Sequence, residues 1–328
     1  MKKFTVGVVG LGYWGPNLLR NFLKSDGFEV VWGCDLVDEN LQKVEKDFPT
    51  VKLTKDLNDL LQDAKLDVVV IATPPATHFA LGQKALAAGK HLWVEKPFTT
   101  SSKEASELLR IAKEKNLALH VDLPFIFHGP VRKIKELIDS GKIGKVYYYN
   151  SIRTNLGLVQ TGADVVWDLA PHDLSILFHL FPDAGVKQVH IHSSSHLPNT
   201  KVAQIGSLYL ELDNGVAAYI HLSWLSPVKM RLITIGGQKR MILFDDVEPT
   251  EKVKVYDKNI TIKKDEITPF KPVYRTGDVW IPTVDQTEAL YTQIEYFSGQ
   301  LTAGTFDYEI ASIALKILNV LENKKERT

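Results

Sequence analysis

Residues 4–19 read Phe4-Thr5-Val6-Gly7-Val8-Val9-Gly10-Leu11-Gly12-Tyr13-Trp14-Gly15-Pro16-Asn17-Leu18-Leu19: an apolar run, a turn with spaced glycines, then the start of a helical pattern. The glycines have separate jobs. Gly10 permits a tight turn out of a strand, Gly12 leaves the backbone bare so that a pyrophosphate can come close, and Gly15 lets a helix pack tightly on the strand. Pro16 suits the first helical turn, where its missing N–H costs nothing. The free N–H groups and dipole of the helix start then favour an anion. Tyr13 and Trp14 belong to the same turn and join Gly10, Gly12 and Gly15 as dinucleotide-binding candidates. Glycines at this spacing arise often by chance; the strand before and the helix after give them weight.

Asp35 lies 20 residues beyond Gly15, at the end of a second strand pattern. A carboxylate there accepts hydrogen bonds from an adenosine ribose diol. It would repel a 2′-phosphate, and no Lys or Arg follows until Lys43. The expected cofactor is NAD rather than NADP.

Outward from this turn, the first ~120 residues alternate apolar runs with helical patterns, as βαβ units of a parallel sheet do. Strands are expected at Thr5–Val9, Glu29–Cys34, Asp67–Ala72, His91–Val94 and Ala118–Val121, with a helix over Phe79–Ala88 ended by Gly89. The β-branched run Asp67-Val68-Val69-Val70-Ile71-Ala72 reads as a strand covered on both faces. Beyond Asp122 the pattern changes. A helix is expected over Gly129–Ser140, then alternating strands at Lys145–Arg153, Val186–Ser193, Ile205–Leu212, Val216–Ser223 and Met230–Ile235. Asp213-Asn214-Gly215 supplies hairpin chemistry, because Asn and Gly tolerate positive φ. The expected fold is therefore α/β plus α+β: a doubly wound parallel Rossmann domain over 1–122 and a mostly antiparallel open-sheet domain over 123–328. A helical stripe from Ile310 to Leu321 marks a helix within 306–323 as a candidate to pack back on the first domain, and the polar tail Glu322–Thr328 is expected to fray.

Two further clusters carry chemistry. Lys96 follows the strand His91–Val94, at the carboxyl edge where open α/β sheets bind ligands. Pro97 keeps the residue before it out of the helical region. Glu95 and Lys96 are counted as cofactor contacts. Thr73, Pro74 and His78 end the strand after Ala72 and could wall a nicotinamide, although a plain loop would read the same. Asp168 and His172 stand four apart at the start of a helical pattern, a spacing that puts both on one face. With Asp168 as N-cap or first-turn residue, Pro171 falls in the first turn. Histidine titrates near neutrality and can take the proton of an alcohol that loses hydride. An N-capping Asp with a His on the wet face fits the same spacing.

Other features limit the possibilities. Lys+Arg and Asp+Glu both number 39, so no net field draws the chain to nucleic acid or an anionic membrane. Cys34 is the single cysteine, which excludes an intrachain disulfide and a cysteine zinc site. No apolar stretch approaches the roughly 18 residues of a membrane span. The apolar residues after Met1-Lys2-Lys3 are too few for a secretory segment, so a cytoplasmic location is expected. His190, His192 and His196 have no nearby acid or cysteine partner, so no metal site is expected. Tyr147-Tyr148-Tyr149 reads as a sheet segment.

Gly10–Gly15, Ile71-Ala72-Thr73-Pro74-Pro75-Ala76-Thr77-His78, Glu95-Lys96-Pro97 and the Asp168/His172 pair together resemble the oxidoreductase superfamily typified by glucose–fructose oxidoreductase and inositol dehydrogenase. The resemblance covers nearly the whole chain. It implies a Rossmann domain plus an open-sheet domain that often builds a dimer or tetramer, with Lys96, Asp168 and His172 lining the active site. Gly7–Phe22 and Ser151–Leu177 are most similar to bacterial sugar-nucleotide 3-dehydrogenases, which act on UDP-N-acetylglucosamine or its uronic acid. Arg153-Thr154-Asn155-Leu156-Gly157 falls where that subgroup contacts substrate, so Arg153 and Asn155 join Lys96, Asp168 and His172 as substrate-binding candidates. The implied reaction is NAD-dependent oxidation of a ring hydroxyl, with Lys96 or His172 as base, since burial can bring a lysine into range. An NAD(P)-dependent polyol or free-sugar dehydrogenase is the rival reading, and a non-catalytic cofactor-binding regulator a second.

Overall fold

A computed structural model describes residues 3–157, 159, 163–263 and 270–323. Of the tail expected to fray, 324–328 lie outside the described residues. The chain forms two compact units. One takes in the described residues to His128 together with Thr287–Glu322, and the other is Gly129–Gln286.

The first unit runs β1 (Phe4–Val9), α1 (Gly15–Lys24), β2 (Phe28–Cys34), α2 (Asp38–Asp47), β3 (Lys52–Thr54), α3 (Leu57–Leu61), β4 (Val68–Ile71), a 3-10 turn (Pro75–Thr77), α4 (His78–Ala87), β5 (His91–Val94), α5 (Ser102–Glu114), β6 (Leu119–Val121) and α6 (Pro124–Phe127). All its strand pairs are parallel, in the order β3-β2-β1-β4-β5-β6. This is the doubly wound order that places the turn after β1 at the switch point between the two halves of the sheet. Val68, Val69, Val70 and Ile71 are all 0% exposed, as a central strand under helices on both faces requires.

The second unit begins with α7 (Gly129–Asp139) and continues through β7 (Val146–Leu156), α8 (Val165–Leu180), β8 (Val186–Ser194), β9 (Ile205–Leu212), β10 (Ala217–Ser223), β11 (Leu225–Gly237), β12 (Met241–Asp245), β13 (Val253–Lys263) and β14 (Lys271–Trp280). Its eight strands lie in the order β14-β13-β12-β11-β7-β10-β9-β8. One neighbouring pair, β10 with β7, is parallel and the others are antiparallel. The apolar α8 packs on one face, against β7, β9 and β10. Alternation along β10 buries Ala218, Ile220 and Leu222 and leaves Tyr219 and His221 on the open face.

Two helices, α9 (Ala289–Ala303) and α10 (Glu309–Leu321), complete the first unit. Leu290, Ile294, Phe297 and Leu301 of α9 enter its core beside Phe22, Phe28 and Trp93. The α10 stripe packs on α5 and β6. No helix among the described residues is long and apolar enough to cross a membrane.

Candidate functional site

The turn after β1 shows what each glycine does. Gly10 has φ +93°, and a Cβ there would come within 2.6 Å of the Ala72 carbonyl carbon. A Cβ at Gly15 would lie 2.1 Å from the Gly10 oxygen. The fold itself therefore requires both. At Gly12 a Cβ would meet nothing within 4 Å, so the missing side chain leaves a bare cradle beside the α1 start. That is the shape a pyrophosphate needs. Tyr13 is almost fully exposed, and Trp14 is the N-cap residue of α1.

Asp35, just past β2, is held by the chain's own donors. Its Oδ2 accepts from the Leu11 N–H at 2.7 Å and from Asn40 Nδ2 at 3.1 Å, and its Oδ1 accepts from the Val37 N–H at 2.8 Å. The carboxylate thus fastens the glycine turn to the end of β2. Lys55, a cation near this end, pairs with Asp38 at 2.6 Å. With acids at 35, 38 and 39 and exposed Leu36 and Val37 beside them, this end of β2 suits an unphosphorylated ribose and an adenine, as NAD presents.

At the carboxyl ends of β4 and β5, His78 is fully buried. Its Nε2 lies 2.8 Å from the Thr73 carbonyl oxygen and its Nδ1 3.0 Å from that of Pro97. Burial pushes its pKa down, against the pull of those carbonyls. The imidazole thus lies between the Thr73-Pro74 loop and the Glu95-Lys96-Pro97 segment. Lys96 is half-buried at the end of β5, and the Lys96–Pro97 peptide is cis. Glu95 accepts the Lys96 backbone N–H at 3.1 Å, and burial together with the neighbouring Asp122 carboxylate pushes its carboxyl well above the usual range. The sequence reading missed Asp122. Its position one residue beyond a strand, at the same carboxyl edge as Lys96, was the available signal.

In the second unit, Asp164 caps α8, its Oδ1 accepting the Trp167 N–H at 2.9 Å. The helix therefore starts earlier than expected. Asp168 lies in its first turn, but Pro171 is the seventh helical residue and sits inside the helix. There it removes the N–H that the Trp167 carbonyl would otherwise receive. Asp168 and His172 share a face one turn apart, both half-buried. Arg153 on β7 is 5% exposed and bound to Asp173, the neighbour of His172, through Nε at 2.7 Å. Burial works against its charge, and the Asp173 carboxylate more than restores it. Asn155 is half-buried on the same strand. The structure thus brings Asp168, His172 and Arg153 into one unit, and gives Lys96 and the glycine turn to the other.

On the open face of the second sheet, Asn150, His190, His192, Tyr209, Tyr219 and His221 line a cavity of about 500 Å³. Among the described residues no group of three or more His, Cys, Asp or Glu is arranged to hold a metal ion.

Residues 4–123 match the model of an oxidoreductase family with an NAD-binding Rossmann fold, and residues 131–243 match the C-terminal domain of GFO/IDH/MocA proteins. An uncharacterized oxidoreductase of Schizosaccharomyces pombe is 34% identical over 214 residues, 62% of this chain and 58% of its own length. The chain thus spans little more than half of that relative. The NAD-dependent scyllo-inositol 2-dehydrogenase of Bacillus subtilis is 29% identical over 231 residues, 67% of either chain. Among solved structures, a UDP-N-acetylglucosamine 3-dehydrogenase from Acidithiobacillus ferrooxidans superposes with a TM-score of 0.80 over 97% of this chain and 95% of its own, at 24% identity.

Proposed function

The chain belongs to the GFO/IDH/MocA oxidoreductase family, and from that premise we propose that it oxidises a ring hydroxyl, at C3, of a UDP-N-acetyl-hexosamine or its uronic acid to a 3-oxo sugar nucleotide. The observation that carries the reading is the α8 face that presents Asp168 and His172 one turn apart. Bound NAD supplies the hydride acceptor. His172 takes the hydroxyl proton, and Asp168 fixes the imidazole's orientation and stabilises its charged form. Lys96 hydrogen-bonds the oxygen as it gains charge, and shares with His172 the claim to be base. Arg153 and Asn155 serve the substrate side from β7, Arg153 by way of Asp173. Support for a sugar nucleotide comes from the likeness of Gly7–Phe22 and Ser151–Leu177 to that subgroup and from the fold shared with the Acidithiobacillus enzyme. The open sheet face with Tyr209, Tyr219 and His221 is the surface we assign to self-association as a dimer or tetramer.

A second reading has its own support: the relationship to scyllo-inositol 2-dehydrogenase favours a polyol or free sugar. Appearance of NADH absorbance with UDP-N-acetylglucosamine, its uronic acid, the free sugars and inositols separates the two. Turnover that needs the uridine diphosphate supports the first reading. Turnover of the free polyol alone replaces it with the second, and no reduction of NAD by any of them rejects both.

A further inference from the structure

The first unit contains a polar chain that the reaction above does not use. The last register pair between β5 and β6 is Val94 with Val121, so Glu95 and Asp122 emerge side by side at the carboxyl edge of the sheet. Both carboxyls are withdrawn from water, and Asp122 is 1% exposed. On the far side, the Trp14 indole Nε1 donates to Asp122 Oδ2 at 3.2 Å. The sheet order sets β4 and β5 between β1 and β6, so this indole reaches from the glycine turn across two strand ends to make its bond. A side chain that is 36% exposed could give its N–H to water at no cost.

Packing alone does not account for this arrangement. Burying two neighbouring acids is expensive unless they share a proton or gain donors. Here the Glu95 and Asp122 side chains hydrogen-bond each other, the raised Glu95 carboxyl supplying the shared proton, while Glu95 Oε2 takes the Lys96 N–H. A proton shared between two buried carboxyls ties Asp122 to Glu95 at this edge.

We propose that Asp122 is a positioning residue of the dinucleotide site, holding the Trp14 indole over the strand ends with one carboxylate oxygen and setting Glu95, and with it the Lys96 backbone, with the other side. Closing Trp14 over the edge and placing Glu95–Lys96 are then one event. This requires only that the turn bind NAD; it is independent of which alcohol is oxidised.

The test measures NADH affinity by energy transfer from tryptophan to the bound nicotinamide, and by calorimetry where Trp14 is replaced, with no sugar present. The variants are W14F, D122A, D122N and the doubles W14F/D122A and W14F/D122N. W14F and D122A each weaken NADH binding about fivefold to tenfold, the scale of one hydrogen bond to a charged group. The double W14F/D122A is no worse than D122A alone, because D122A already removes the bond that W14F deletes. D122N keeps an acceptor oxygen and restores most of the affinity lost in D122A, and in the W14F background that rescue shrinks to the part that runs through Glu95. Penalties that multiply, or a D122N no better than D122A, overturn the proposal. Should D122A fail to fold by its melting curve, the comparison of D122N with and without W14F still decides it. A parent protein that binds NADH and oxidises no sugar leaves this inference standing and removes the proposed reaction instead.

Discussion

Arg153 and Asp173 form a buried two-point pair, Nε to Oδ2 at 2.7 Å and Nη2 to Oδ1 at 3.2 Å, and the next residue back along α8 is His172. Ser151 donates to the same carboxylate at 2.7 Å, and the Tyr149 hydroxyl donates to the Asp173 carbonyl at 3.0 Å. Three side chains of β7 therefore grip α8 at the turn that carries the proposed base. Removing one partner of such a pair strands a buried charge, at a cost of roughly 3–5 kcal/mol. Arg153→Ala is expected to lower the melting temperature severely. Arg153→Lys keeps the charge without the fork, so it folds but loses orientation. Its kcat is expected to fall more than its KM rises. A rise confined to KM would return the guanidinium to direct substrate contact.

Lys96, His172 and Asp168 are expected to differ in kind. Alanine at Lys96 or His172 should lower kcat by at least about 10²-fold, the usual scale of acid–base catalysis. Asp168→Asn leaves the helix face intact and removes only the charge one turn before His172, so it should cost less than His172→Ala. Steady-state rates with saturating NAD read this directly. Near-parent turnover by the Lys96 or the His172 variant would strip that residue of its role.

Much of this architecture could be read from residue order. His91–Val94 and Ile205–Leu212 have the expected bounds, and the glycine turn behaves as its spacing implied. The misses have physical causes. β14 is exposed along nearly its whole length, so it has no inside–outside alternation to betray it. β3 is only Lys52–Thr54, too short for a period. The start of α8 was misplaced because both Asp164 and Asp168 can cap a helix, and only the Asp164 bond to Trp167 distinguishes them. Arg153 enters the sequence reading only as a substrate contact implied by the resemblance. It also bonds Asp173, 20 residues on, a pairing that spacing cannot reveal. Asp122 and Trp14, 108 residues apart, meet for the same long-range reason.

Acid should act on the first unit through His120. The ring is fully buried, stacked on Trp93 at 4.3 Å between centroids, with Nε2 against Gln293 Nε2 at 2.7 Å. Burial pushes its pKa from 6.5 down to about 3. A depressed folded pKa means that the unfolded chain takes up the proton first. The stability is whole above pH 6.5 and is lost as pH falls from there toward 3. At about 1.4 kcal/mol per pH unit, roughly 2 kcal/mol should be gone by about pH 5. His120→Gln, which cannot titrate, should flatten the melting temperature across that window. Parallel pH curves for parent and variant would mean that the folded protein accepts the proton at this site.

Gly12 and Gly15 allow the cradle to be separated from the scaffold. At Gly12 a methyl group meets no protein atom within 4 Å, and no positive φ penalises it. Gly12→Ala should therefore melt within a degree or two of the parent, the range of a surface substitution of about ±0.5 kcal/mol. The same methyl stands in the bare space where the pyrophosphate would press against the backbone. NADH affinity is accordingly expected to fall at least about tenfold. Gly15→Ala drives its Cβ to 2.1 Å from the Gly10 carbonyl oxygen, an overlap with rigid backbone, so it should lose stability and affinity together. Titrating NADH into both variants beside their melting curves separates the effects. Undiminished binding by a fully folded Gly12→Ala protein would move the dinucleotide away from this turn.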